Sequence, residues 1–208
     1  MQADSGTKQF RETLETEAAA YGVAIPSPAL EGLSQYYDLL KAWNKQIHLV
    51  APCSPREFAT RHVLESLILL KYLPVDSSVA EVGAGAGLPM VPCLILRPDL
   101  RGFLIEASPK KAIFLREALN KTAISKQAQV IAERFEKVAS PTVGFVTCRA
   151  LERFEEMLPH LLDWAPARAT LLLFGGMRLE RRIETLGYTA TAEQIPKSKA
   201  RFLYLVNK

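Results

Sequence analysis

The stretch EVGAGAGLP, Glu81 to Pro89, holds the residues best suited to chemistry: a carboxylate, then glycines at 83, 85 and 87. Glycine accepts positive φ and, lacking a Cβ, lets the backbone approach a ligand closely. A glycine loop between a strand and a helix commonly cradles a nucleotide-like ligand, and the dinucleotide fingerprint spaces its glycines G-x-G-x-x-G. Here the third glycine falls one residue early, and Leu88 stands where that fingerprint needs glycine. Such a loop turns tightly but does not reproduce the helix entry that takes a pyrophosphate. Pro89 tightens the start of the helix that follows.

Glu106 ends the next apolar run, FLIE. An acidic side chain at that place accepts hydrogen bonds from both hydroxyls of a ribose. A close backbone turn and a ribose acceptor, without provision for phosphates, match S-adenosylmethionine, an adenosine that carries none. The competing reading is a structural turn with Glu106 as a solvated strand end. Signatures of other methylation chemistries are missing. Attack on cytosine C5 needs a thiolate, and Cys148, in TCRA rather than Pro-Cys, reads as a packed thiol. Adenine amino methylation brings an Asn/Asp-Pro-Pro-aromatic run, which the chain lacks.

These residues need elements to position them. From Val79 onward short apolar runs alternate with amphipathic segments. SVAEVG, FLIEA, AQVIAE, GFVTCRA and ATLLLFGG read as strands, and LPMVPCLILR, SPKKAIFLREALNK, LERFEEMLPHLLDWA and RLERRIETLG as helices. That alternation means a parallel sheet covered on both faces. The tail, YTATAEQIPKSKARFLYLVNK, reads as two strands joined directly, an antiparallel hairpin at the sheet edge. In such sheets the ligand lies beyond the carboxyl ends of the strands, which directs attention to Glu81–Leu88, Glu106–Lys111, Glu133–Glu136 and Arg149.

Before the sheet the chain reads as helical. Phe10, Leu14 and Tyr21 suggest one helix. A second starts with Ser27 as N-cap and Pro28 behind it, with Leu30, Leu33, Tyr37, Leu40 and Trp43 or Asn44 on one face. Tyr37 and Trp43 read as core. A third starts at SPRE, where Ser54 and Glu57 form a capping box. We expect a helical extension over 1–73 and an α/β domain over 74–208, forming one compact unit.

Composition narrows the class. With 49% apolar and 23% charged residues among 208, the chain can build a sizeable core. No run reaches the ~18 apolar residues of a membrane span, and MQADSGTKQF has no export-signal pattern. Three separated cysteines, Cys53, Cys93 and Cys148, suggest neither a disulfide framework nor a metal site. A cytoplasmic protein is expected. The net charge of +4 permits a polyanionic partner without requiring one.

LLKAWNKQIHLVAP, RHVLESL, EVGAGAGLPMVP, RPDL, SPKKAIFLREAL and CRAL occur together, in this order, from about Tyr36 onward. In this the chain resembles the small-subunit ribosomal RNA methyltransferase G family, also called glucose-inhibited division protein B. The resemblance implies a Rossmann-like class I methyltransferase sheet of seven strands. It implies methylation by S-adenosylmethionine of guanosine N7 in 16S ribosomal RNA. The partner would be that RNA or the small subunit, with the enzyme a monomer and no membrane or metal involved.

Residue by residue, the resemblance places cofactor contacts on Gly83 and Leu88, on Phe135 and Glu136, and on Arg149. Gly85, Gly87 and Glu106 complete the set from the loop reading. N7 carries a lone pair and no proton, so no general base is expected. Target-side candidates are Arg61, His62, Glu65 and Ser66 in RHVLES, with Arg61 and Glu65, and likewise His62 and Ser66, one helical turn apart. Lys110, Lys111, Arg116, Arg11, Lys41, Lys45, Lys197, Lys199 and Arg201 are candidates for phosphate contacts. His48 and His160 carry no partner pattern.

The chain departs from the family at Ala84, where Thr is common, at Met90 for Gly and at Lys111 for Arg. It departs again at Phe174–Gly175, where the family has Leu-Lys. Those departures lie on the substrate side and leave two alternatives open: a methyltransferase of this fold acting on another RNA or a small substrate, or a non-catalytic RNA-binding or assembly protein.

Overall fold

A computed structural model describes residues 4–149, 151 and 153–208, so Ala150 of the CRAL stretch lies outside the description. Helix α1 (Ser5–Glu17) buries Phe10 and Leu14 on one stripe and runs into a 3-10 turn, Ala18–Tyr21. Helix α2 (Ser27–Ile47) starts one residue earlier than its sequence suggests. Pro26 takes the N-cap place in extended conformation, and Ser27 is already helical without capping. The buried face of α2 is wider than expected and includes Tyr36 as well as Tyr37. Tyr37 stacks on Phe10 with centroids 4.4 Å apart, which fixes α1 against α2.

The next helical rod begins as its capping signal predicts. The Glu57 N–H donates to Ser54 Oγ at 3.1 Å ahead of α3 (Pro55–Glu57). The rod does not stay α-helical. Phe58–Leu64 winds as a π-helix, and α4 (Glu65–Leu67) and a 3-10 turn, Ile68–Tyr72, complete it. A π-helix bonds residues five apart rather than four, so the faces of RHVLES differ from those a regular helix would present.

The sheet has seven strands in the order β3-β2-β1-β4-β5-β7-β6. Strands β1 (Ser78–Val82), β2 (Arg101–Ile105), β3 (Ala128–Ile131), β4 (Phe145–Arg149) and β5 (Thr170–Gly175) are parallel. Strands β6 (Ala190–Gln194) and β7 (Phe202–Asn207) form the antiparallel hairpin at one edge, with β7 inserted beside β5. Helices α5 (Met90–Leu96), α6 (Pro109–Lys121), α7 (Phe154–Trp164) and α8 (Met177–Thr185) connect the strands.

Register is what positions the site. Val82 pairs with Ile105 on one side and Cys148 on the other. The next residues, Gly83, Glu106 and Arg149, therefore leave the sheet level with one another at the point where strand order reverses. Arg149 lies opposite Phe174 of β5. Because β7 runs the other way, its start also lies at this end, with Phe202 opposite Gly175.

Side chains alternate between two cores. Ala80, Val82, Val146, Cys148, Leu171 and Leu173 face α7 and α8. Val79, Leu104, Leu172 and Leu203 face the other layer, where they share one apolar cluster with Phe10, Leu33, Phe58 and Phe114. Period two puts Glu81, Thr147 and Arg149 on that second face, under the helical extension.

Candidate active site

The glycine loop is held to the sheet by its own backbone. Gly83 and Ala84 N–H groups both donate to the Ile105 carbonyl, at 2.9 and 3.0 Å, and Gly87 N–H donates to Ala84. Gly83, Gly85 and Gly87 have φ of 69°, 54° and 79°, values that a Cβ disfavours. At Gly87 space also forbids a side chain, since a Cβ there would lie 2.4 Å from Val91 Cγ2. Gly85 by contrast has only the Gly83 carbonyl oxygen, at 3.7 Å, near its Cβ position.

Glu106 ties this loop to the next helix. Its Oε2 accepts from the Gly85 N–H and its Oε1 from the Ser108 N–H, both at 2.8 Å. Each carboxylate oxygen keeps a second lone pair. Ser108 then caps α6 by accepting from the Lys111 N–H.

Two adjoining cavities open at this end of the sheet. One, of about 470 Å³, is lined by Gly83 to Ala86, Leu88, Glu106, Lys111, His62 and Arg149, and by Leu49 to Ala51. The other, of about 280 Å³, is lined by Gly83, Ala107, Leu151 and the segment Glu133 to Glu136. Of the expected cofactor residues, Gly83, Gly85, Leu88, Glu106 and Arg149 thus meet around the first, and Phe135 and Glu136 around the second. Gly87 lines neither, being turned toward Val91 and Leu115. This donor and acceptor set fits S-adenosylmethionine: the Cα of Gly85 leaves room where a Cβ would intrude, and Glu106 has lone pairs left for hydroxyl donors.

Glu81 lies just behind the loop, 1% exposed, and neither oxygen has a well-formed hydrogen bond. Burial pushes its carboxyl well above the usual range, and the nearby Met90 N–H offsets this only in part. Burial thus favours the protonated, uncharged form of this carboxyl.

The helical extension builds part of the site. The Tyr36 hydroxyl donates to the Ala86 carbonyl at 2.7 Å, inside the protein. Asn44 clamps the segment that lines the larger cavity. Its Oδ1 accepts from the N–H groups of Leu49 and Val50, at 2.6 and 3.0 Å, and its Nδ2 donates to the Val50 carbonyl. His48, with φ of 45°, ends α2 and lets the chain turn back to be clamped. Leu49 to Ala51 were not anticipated as site residues. The signal was an Asn at the end of a helix just before HLVAP.

RHVLES divides differently from expectation. Arg61 does not pair with Glu65; it is exposed and pairs with Glu57 at 2.5 Å. Glu65 is 1% exposed, and its two oxygens accept from Arg149 Nη2 at 3.2 Å and Arg201 Nη2 at 2.6 Å. Arg149 also donates to the carbonyls of Arg61 and His62 and to Ser66 Oγ. With its Nη groups so engaged, Arg149 straps the π-helical rod to β4. Ser66 is buried and donates to the His62 carbonyl. His62 lines the larger cavity. Burial, then the guanidiniums of Arg149 and Arg61, hold its imidazole down to about 4.

Several cations expected to be free for phosphate are paired within the chain: Arg11 with Glu31, Lys41 with Asp4, Lys197 with Glu17 and Arg201 with Glu65. Cys148 is buried, and burial pushes its thiol far up. Among the described residues no His/Cys/Asp/Glu group could hold a metal ion, and no helix is long and apolar enough to cross a membrane.

Residues 29–205 match the family model described as rRNA small subunit methyltransferase G. The chain is 33% identical over 176 residues to the Ribosomal RNA small subunit methyltransferase G of Pelotomaculum thermopropionicum, covering 81% of this chain and 73% of that one. It is 36% identical over 155 residues to the protein of the same name from Neisseria gonorrhoeae, covering 73% and 74%. Among solved structures it resembles a SAM-dependent methyltransferase from Aquifex aeolicus, with a TM-score of 0.55, 19% identity, and coverage of 68% of this chain and 88% of that one. That last likeness is one of fold, the Rossmann-like methyltransferase sheet expected from the sequence.

Proposed function

The chain belongs to the rRNA small subunit methyltransferase G family, and on that footing we propose that it transfers a methyl group from S-adenosylmethionine to N7 of a guanosine in 16S ribosomal RNA. The observation that carries the reading is the levelling of Gly83, Glu106 and Arg149 by strand register around one cavity. Gly83, Gly85 and Leu88 would hold the cofactor against backbone, Glu106 would accept from its ribose, and Phe135 and Glu136 would border it. When bound, S-adenosylmethionine supplies a methyl on a sulfonium centre; the nitrogen–carbon bond forms as the carbon–sulfur bond breaks and its electron pair stays with sulfur.

The protein's own residues mainly align the reactants and exclude water. N7 attack needs no proton acceptor, in keeping with a site whose only imidazole, His62, is held near 4 and is a weak base. A buried thiol pushed far up, as at Cys148, does not suit cytosine C5 chemistry. In this reading residues 1–73 and 74–208 act as one unit, since Tyr36, Asn44 and Leu49 to Ala51 shape the cleft. A protein acting on ribosomal RNA works in the cytoplasm.

The test is methyl transfer to small subunits purified from a strain lacking the gene, with nucleosides identified by mass spectrometry. New 7-methylguanosine in 16S RNA supports the proposal. A different methylated nucleoside, or none, overturns it.

A further inference from the structure

Four polar side chains line the cavity of about 470 Å³: His62, Glu106, Lys111 and Arg149. Glu106 holds two backbone N–H groups. The Nη groups of Arg149 are engaged by Glu65, Ser66 and the carbonyls of Arg61 and His62. Lys111 is a cation. His62 remains. We propose that His62 touches the target base, a ring N–H donating to guanine O6 beside the N7 that takes the methyl. The inference rests on the methyl-transfer reading above.

The rod fixes the backbone of His62 and leaves its ring unoccupied. The His62 carbonyl accepts from Arg149 Nη1 at 3.4 Å and from Ser66 Oγ. Phe58, itself buried, backs the imidazole with ring centroids 5.2 Å apart. The histidine is only half-buried. Among the described residues neither ring nitrogen has a hydrogen-bond partner, and neither is closed off from solvent. The ring therefore offers one donor and one acceptor to whatever enters the cavity it lines. Gly83 to Ala86, the proposed cofactor cradle, border the same space.

Methylation at N7 asks for such a group. The N7 lone pair forms the bond to carbon while the carbon–sulfur pair stays with sulfur. No proton moves, and the base ends positively charged. On this edge guanine presents O6 next to N7, and both are acceptors. Whatever holds O6 must therefore donate, yet a charged donor would oppose the charge that builds on the ring. Lys111 and Arg149 are such charged donors. Burial and the guanidiniums of Arg149 and Arg61 keep His62 uncharged at neutral pH, so it donates without that opposition. The other tautomer of the same imidazole would accept from an adenine amino group. The contact thus orients N7 rather than choosing the base.

The experiment uses the whole protein and small subunits from a strain lacking the gene. It measures kcat/KM for the subunits and, by calorimetry, the Kd for S-adenosylhomocysteine. His62→Phe keeps a ring against Phe58 and removes both nitrogens; His62→Gln keeps a donor. His62→Phe should lower kcat/KM roughly tenfold, the worth of one hydrogen bond, and leave the Kd unaltered. His62→Gln should recover most of that loss. An unchanged kcat/KM in His62→Phe, no recovery in His62→Gln, or a matching loss of S-adenosylhomocysteine affinity overturns the proposal. If His62→Phe fails to fold, His62→Leu takes its place under the same criteria. Mass spectrometry of the product nucleosides separates the two readings. If the unaltered protein forms no 7-methylguanosine, the methyl-transfer reading falls and the contact falls with it. If it forms 7-methylguanosine and His62→Phe forms it as fast, the contact alone falls.

Discussion

The Tyr36 hydroxyl donates to the Ala86 carbonyl across 2.7 Å of fully buried space, so a helix of the N-terminal extension holds the crest of the glycine loop. Tyr36→Phe keeps the ring and its packing and leaves the carbonyl without this partner. We expect a loss of about 1 kcal/mol, a fall in melting temperature of about 2–4 °C for a chain of this size, and a few-fold weaker cofactor binding. Thermal unfolding with and without S-adenosylmethionine measures both; an unchanged cofactor affinity would show that the loop keeps its shape without the bond.

Glu106 bridges Gly85 and the start of α6 through one backbone N–H on each oxygen. Glu106→Ala removes the bridge and the proposed ribose acceptor together. S-adenosylmethionine affinity should fall by about 1–3 kcal/mol, roughly 5- to 150-fold in Kd. Titration calorimetry gives the number, and an unaltered Kd would place the ribose elsewhere.

Glu81 is raised well above its ordinary value because burial disfavours its charge, with Glu106 adding to the effect and Arg149 opposing it. The folded protein then holds a proton that the unfolded chain releases above about pH 4.5. Stability present below that pH is lost as pH rises. Glu81→Gln, neutral throughout, should melt higher than the unaltered protein at pH 8, with the gap narrowing toward pH 5. A gap that does not depend on pH would mean the carboxylate is satisfied.

His62 behaves in the opposite sense. Its charged form is disfavoured by burial and by Arg149, Arg61 and Arg201, with Glu57 opposing. Between pH 6.5 and about 4 the unfolded chain binds the proton and the folded protein does not. Stability should therefore fall as pH drops through that window, by up to about 3 kcal/mol. His62→Gln should flatten this part of the curve, and chemical denaturation at pH 7 and pH 5 would reveal a slope that persisted.

The loop, the place of Glu106 and the alternation of strands and helices were legible because each depends on local chemistry or on short-range periodicity. The Glu65 pairings were not. Its partners lie 84 and 136 residues away, and the preceding turns are π-helical, which defeats a one-turn pairing rule. Arg201 read as one cation among several because the hairpin, though legible, does not announce that β7 inserts beside β5 and so starts at the site. Asn44 read as a packing position; its three bonds to the next segment depend on the left-handed turn at His48.

Gly175, where the sequence resemblance led to an expectation of lysine, faces α8, and a Cβ there would lie 2.4 Å from Leu179 Cδ2 and 2.9 Å from Leu179 Cβ. The two positions are bound together in mutational order. Gly175→Lys alone collides with α8. Leu179→Ala first removes the nearer clash, yet the Cβ remains too close, so the first turn of α8 must also yield. Single-step mutagenesis at 175 therefore measures that collision together with the worth of a cation.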